Sequence, residues 1–122
     1  MINPARYDFT IYRNASVNKI LTITGLDLTQ FDQVSMQLRY SPGATDTPAL
    51  TLASGSEIAI FGATTVSINL TKERVNSIPL AVKPSENQVV YYDIVIGDTT
   101  APVRYVRLFE GIIEVSPGVT LL

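Results

Sequence analysis

The residues of this chain best placed to do chemistry are two carboxylates, Asp93 and Glu110, each set inside an apolar stretch, with Arg39, Arg104 and Arg107 as candidate neighbours. Hydrolysis by paired carboxylates needs two acids about 5–9.5 Å apart across a cleft, one protonating the leaving group and the other attacking or activating water. An acid in a strand beside several arginines is more often half of a structural ion pair, because a charge taken out of water must be compensated. The ion-pair reading is therefore preferred for Arg39, Asp93, Arg104, Arg107 and Glu110, and a carboxylate-only glycosidase stands as the rival.

Composition removes most other chemistry. The chain has no His, the usual general base near neutral pH, so Ser-His-Asp and Cys-His arrangements are excluded. It has no Cys, which excludes disulfides, thiol catalysis and Cys-ligated metal centres. Gly97-Asp98-Thr99-Thr100 offers one carboxylate and two hydroxyls, too few oxygens for a calcium loop, and no phosphate-cradling glycine motif occurs. No catalytic residue, metal or cofactor is expected, and the chain reads as a non-enzyme. The sequons Asn14-Ala15-Ser16 and Asn69-Leu70-Thr71 accompany no secretion signal and are read as incidental.

At 122 residues the chain is expected to form one domain, residues 1–122, with no second core. Apolar residues make up 46% and charged residues only 16%, so a sizeable core is available but few charges cover the outside, a composition that points to partners. Net charge is −2 and only three of the nine basic residues are Lys, so no basic stripe exists to neutralise phosphates and nucleic acid is not an expected partner. No run approaches the roughly 18 apolar residues of a membrane span, and Met1-Ile2-Asn3-Pro4-Ala5-Arg6 has no signal-like apolar region, so neither membrane nor secretion is expected.

The elements that must position these residues are strands. Gln33–Tyr40 alternates with Val34, Met36, Leu38 and Tyr40 on one face; Thr64–Leu70 places Val66, Ile68 and Leu70 together; Val89–Ile96 aligns Val90, Tyr92, Ile94 and Ile96. Weaker strand signals cover 7–12, 17–24, 49–53, 57–61 and 103–115, the last expected to bend or bulge at Gly111. Turn residues arrive every 8–15 positions, which predicts about eight antiparallel strands in a sandwich or barrel. One short helical turn is expected over 71–78, capped by Thr71 and stopped by Pro79. Aromatic residues are spread over most strands and read as core; Tyr91 and Tyr92 must face opposite ways, which makes Tyr91 the first aromatic interface candidate.

Several stretches, in order along nearly the whole chain, carry a resemblance. They are Tyr7-Asp8-Phe9-Thr10-Ile11-Tyr12-Arg13-Asn14-Ala15-Ser16, the run from Leu28-Thr29-Gln30-Phe31 through Leu38-Arg39-Tyr40-Ser41-Pro42-Gly43, Tyr92-Asp93-Ile94-Val95-Ile96, Val106-Arg107-Leu108-Phe109-Glu110-Gly111 and Val115-Ser116-Pro117-Gly118-Val119-Thr120. Together they resemble small tailed-phage virion proteins, in particular the immunoglobulin-like N-terminal domain of baseplate upper proteins and related tail or fibre-anchoring modules. The resemblance implies an all-β, immunoglobulin-like sandwich serving as a structural part of a virion made in the bacterial cytoplasm. It implies other phage structural proteins as partners and assembly as a homo-oligomer or symmetric ring. Similar sandwiches occur at baseplates, necks, fibre attachments and capsid surfaces, so a capsid decoration protein and a host carbohydrate- or receptor-binding module remain alternatives. The expected interface residues are Met1, Ile2, Asn3, Pro4 and Arg6 at one end, Thr120, Leu121 and Leu122 at the other, Tyr91, and the loop over 41–48.

Overall fold

The computed structural model describes residues 4–41, 48–79, 86–100 and 103–117. Period-two alternation becomes strand wherever it was strongest. In chain order the strands are β1 (Ala5–Arg6), β2 (Phe9–Tyr12), β3 (Val17–Thr22), β4 (Gln33–Arg39), β5 (Leu50–Ala53), β6 (Ile58–Phe61), β7 (Thr65–Leu70), β8 (Gln88–Asp98) and β9 (Arg104–Ser116). One turn of 3-10 helix covers Leu28–Gln30, and a short helix α1 covers Lys72–Asn76.

The strands form two sheets, one ordered β1-β9-β8-β4-β5 with β2 also on β9, the other β3-β7-β6. The trio β9-β8-β4 facing the trio β3-β7-β6 is the strand arrangement of an immunoglobulin-like sandwich. The inward residues fill the space between: Val34, Met36 and Leu38 from β4, Val66 and Ile68 from β7, and Val90, Tyr92, Ile94 and Ile96 from β8 are all buried. Each such aliphatic side chain contributes about 1.5–3 kcal/mol by leaving water.

Three expectations are corrected. The sandwich is not wholly antiparallel, because β1 and β2 run parallel to β9, pairing Ala5 with Phe109 and Phe9 with Ile113. The strand expected over 7–12 begins earlier and is cut in two at Tyr7 and Asp8, which brings the strands among the described residues to nine. The bulge in β9 lies not at Gly111 but at Leu108: Ile94 pairs with Phe109 and Val95 with Arg107, leaving Leu108 as the extra residue. Both Leu108 and Phe109 are buried, since the bulge turns these consecutive residues toward the same face.

The helical turn forms as its signals require. Thr71 accepts a hydrogen bond from the Arg74 amide at 3.1 Å, and Val75 and Ile78 are buried beneath the turn. Its open carbonyl end is held by Arg13, which donates to the Asn76 carbonyl at 3.1 Å and the Ile78 carbonyl at 2.5 Å. Asn14, in the left-handed region at φ +65°, exchanges hydrogen bonds with the Asn76 side chain at 2.9 and 3.0 Å. Thus the β2–β3 turn and the helix lock one end of the sandwich.

Candidate interaction surfaces

The outer face of the large sheet carries the charged residues singled out above. Asp93 and Glu110 are register partners on β8 and β9, and the row continues to Gln37 on β4 and Arg6 on β1. Like charges directly opposite repel. Asp93 is accordingly paired with Arg107 at 3.3 Å, an ion pair that the bulge makes available: without Leu108 as the extra residue, Arg107 would shift one register step and face the core. Glu110 sits between Asp93 and Arg6, whose guanidinium also meets Asp8 at 3.3 Å. Arg39 donates to the Gln37 amide oxygen at 3.0 Å. Arg104 does not join this row; its guanidinium lies over the Phe31 ring, 4.6 Å from the centroid. The two carboxylates therefore lie side by side on a sheet surface, a different placement from two acids facing across a cleft.

Hydroxyl groups shift two exposed acids at the sandwich ends. Hydrogen bonds from the Thr29 side chain and amide hold the Asp27 carboxyl below its ordinary value, and Thr100 does the same for Asp98, with a smaller contribution from Arg104. Both are local turn-closing contacts.

The outer face of the small sheet is different in kind. Asn18, Ile20 and Thr22 from β3, Thr65, Ser67 and Asn69 from β7, and Ala59 and Phe61 from β6 carry no ionisable group. Ile20 is 70% exposed and Phe61 75%, and both line a shallow groove of about 290 Å³ with Asn18, Lys19, Thr65, Ser67 and Asn69. Ile20 and Phe61 thus set two large apolar side chains in water on one regular sheet face. Sequence reasoning did not name Ile20 or Phe61. The signal was present in the alternation, where Ile20 falls out of phase with the inward Leu21 and so had to face outward.

The groove contains one aromatic ring among the described residues, Phe61, whereas a carbohydrate-binding module would line one groove with two or more exposed aromatics. Tyr105, 63% exposed, lies on the other sheet, where its ring covers Gly97: a Cβ added there would approach the ring to 2.8 Å. Tyr91 is on the outer face of β8, half-buried beside Arg39 and Ile112.

Of the terminal candidates, Met1, Ile2, Asn3, Thr120, Leu121 and Leu122 lie outside the described residues, as does most of the loop over 41–48. Arg6 does not extend beyond the sandwich. It lies within β1 on the sheet edge, and the chain after it is fastened to β9: the Tyr7 amide donates to the Glu110 carbonyl at 3.0 Å and the Ile112 amide to Asp8 Oδ1 at 2.8 Å.

The Tyr92 hydroxyl, from inside the sandwich, donates to the Tyr7 carbonyl. Burial raises the Tyr92 pKa well above the ordinary phenol value of 10.0, and the nearby Asp8 carboxylate adds to the rise. The folded state thus holds this proton more tightly than the unfolded chain does. Its contribution to stability is complete below pH 10 and is lost as the pH climbs from there through the folded value. In urea titrations the Tyr92→Phe variant is expected to lose about 1 kcal/mol at neutral pH, through the unpaired Tyr7 carbonyl, and to show a shallower decline above pH 10 than the parent. An identical alkaline slope in the variant would exclude Tyr92 as the source.

A scan of protein families finds none that matches this chain. A search of curated proteins finds no match either.

Proposed function

We propose that this protein is a non-catalytic structural component of a tailed-phage virion, an adaptor of the tail, baseplate or neck or a fibre-anchoring part, present in multiple copies. The observation that carries the reading is the uncharged outer face of β3-β7-β6 with Ile20 and Phe61 held in water. A lone soluble domain gains nothing from that exposure, whereas a subunit buries it against neighbours. The residue resemblance set out above supports the virion setting, and an immunoglobulin-like sandwich suits it, since rigid sheets offer flat faces and edges to symmetric partners. Many such contacts, each weak, accumulate into firm attachment. Asp93 on β8 serves this role in a surface ion pair with Arg107 on β9 rather than as a reagent.

The test is incorporation. Chains lacking residues 1–3 or residues 120–122 are expected to fold, by circular dichroism, yet to be missing from purified particles in a complementation experiment. Normal incorporation of both truncations would remove the terminal contacts from the proposal, and absence of the full-length chain from every particle fraction would remove the virion setting.

A further inference from the structure

We infer that the outer edge of β3 pairs with the same edge of a second copy of this chain, joining two three-stranded sheets into one six-stranded sheet. Strand β3 ends its sheet, and β2, which precedes it in the chain, has crossed to β9 in the other sheet. The direction of the backbone groups along β3 follows from one hydrogen bond. The Ile23 amide donates to the Thr64 carbonyl at 2.8 Å, continuing the register in which Leu21 faces Val66 and Lys19 faces Ile68. Hydrogen-bonded and non-hydrogen-bonded pairs alternate in an antiparallel ladder, so the odd-numbered residues of β3 bond to β7. Asn18, Ile20 and Thr22 therefore turn their N–H and C=O groups outward, and among the described residues none of these groups has a hydrogen-bond partner.

The free edges of β5 and β6 are blunted. Arg74 donates to the Thr51 carbonyl of β5 at 2.9 Å, and the Gly55 amide donates to the Ile58 carbonyl of β6 at 3.0 Å beside a bridge from Ser54. Strand β3 offers three outward-bonding residues that have no such cover among the described residues.

A second copy is the occupant that this edge fits. With a two-fold axis at Ile20, Ile20 faces Ile20 of the other copy, Asn18 faces Thr22, and Lys19 faces Leu21. All three outward-bonding residues then fall in hydrogen-bonded pairs, and the apolar side chain at the centre is buried against itself. No like charges stand directly opposite. The Lys19 ammonium is drawn aside over the Tyr7 and Phe9 rings, at 5.1 and 5.5 Å from their centroids. The joined sheet also merges the two uncharged outer faces into one. The contact is small, which places it among weak, concentration-dependent interfaces. It stands on the β3 edge alone and does not depend on the virion setting.

Sedimentation equilibrium of the full chain, from micromolar to millimolar concentration, tests it. The expected result is a rise from the 13.3 kDa chain mass towards twice that value. Ile20→Pro removes an outward N–H and the Ile20 side chain but no hydrogen bond within the sheet, so it is expected to keep the circular dichroism spectrum while weakening the dimer at least tenfold. Ile20→Lys keeps every backbone group and is expected to weaken the dimer in low salt, with partial recovery in high salt. If Ile20→Pro fails to fold, Ile20→Lys decides. A parent chain that stays monomeric throughout, or a dimer unchanged in every folded variant, overturns the pairing.

Discussion

Replacing Gly111 by alanine is expected to destabilise the domain by about 3 kcal/mol or more, the upper end of the usual cost of overpacking. A Cβ at this position would lie 2.2 Å from the Tyr7 carbonyl oxygen, 2.9 Å from its carbon and 2.7 Å from Asp8 Oδ1. Two of these three atoms are backbone, so no side-chain rotation relieves the clash. The segment that must retreat is the break between β1 and β2, where the chain passes over β9. Retreat would strain the bonds from the Tyr7 amide to Glu110 and from the Ile112 amide to Asp8, and the contact of Tyr92 with the Tyr7 carbonyl. Thermal unfolding should show a midpoint lower by roughly 10 °C for a domain of this size. Amide exchange should show β2 released while β4 and β8 stay protected. A Gly111→Ala protein within about 0.5 kcal/mol of the parent, below the overpacking range, would mean that the N-terminal strands do not close over this position.

The second large effect is expected at Ile94. This residue is fully buried, pairs with Met36 and Phe109 on either side, and stands just before the bulge. Ile94→Ala leaves a cavity that well-packed neighbours cannot collapse into, at about 3–4 kcal/mol. Val95→Ala, one residue on, trims a half-buried side chain on the outer face and is expected to cost less than about 1 kcal/mol. Urea midpoints at unchanged denaturant dependence measure both. Equal losses at the two positions would contradict the assignment of inner and outer faces along β8.

Much of this architecture was legible because strand patterning is local. Val34-Ser35-Met36-Gln37-Leu38 states its own inside and outside, as do Val66-Ser67-Ile68 and the run from Val90 to Ile96, since neighbouring Cβ atoms must point to opposite faces. Thr71 and Pro79 bracketed the helix for equally local reasons, a side-chain acceptor at one end and a residue unable to continue at the other. The bulge was legible too, although it was placed at Gly111. Val106 and Leu108 share one phase and Phe109, Ile113 and Val115 the other, but Tyr105 and Ile112 break both runs, and only the register places the extra residue at Leu108. The glycine drew attention because glycines often mark bulges, whereas here it admits a crossing chain.

The candidate surfaces were less legible. Asp93, Glu110 and Arg107 were named together, and the structure sets them on adjacent strands of one face. Ile20 and Phe61 were passed over because in a sequence an apolar residue in a strand reads as core until its sheet face is known.

Residue types and their alternation by themselves determined an all-β chain without imidazole or thiol chemistry, the faces of its main strands and the place of α1. Only the tertiary structure decided that β1 and β2 lie parallel on β9, that Gly111 is a crossing point, and that β3 is left at an edge. The reason is that backbone hydrogen-bonding groups are the same at every residue, so a strand's partner is chosen by how distant segments pack and not by its own side chains.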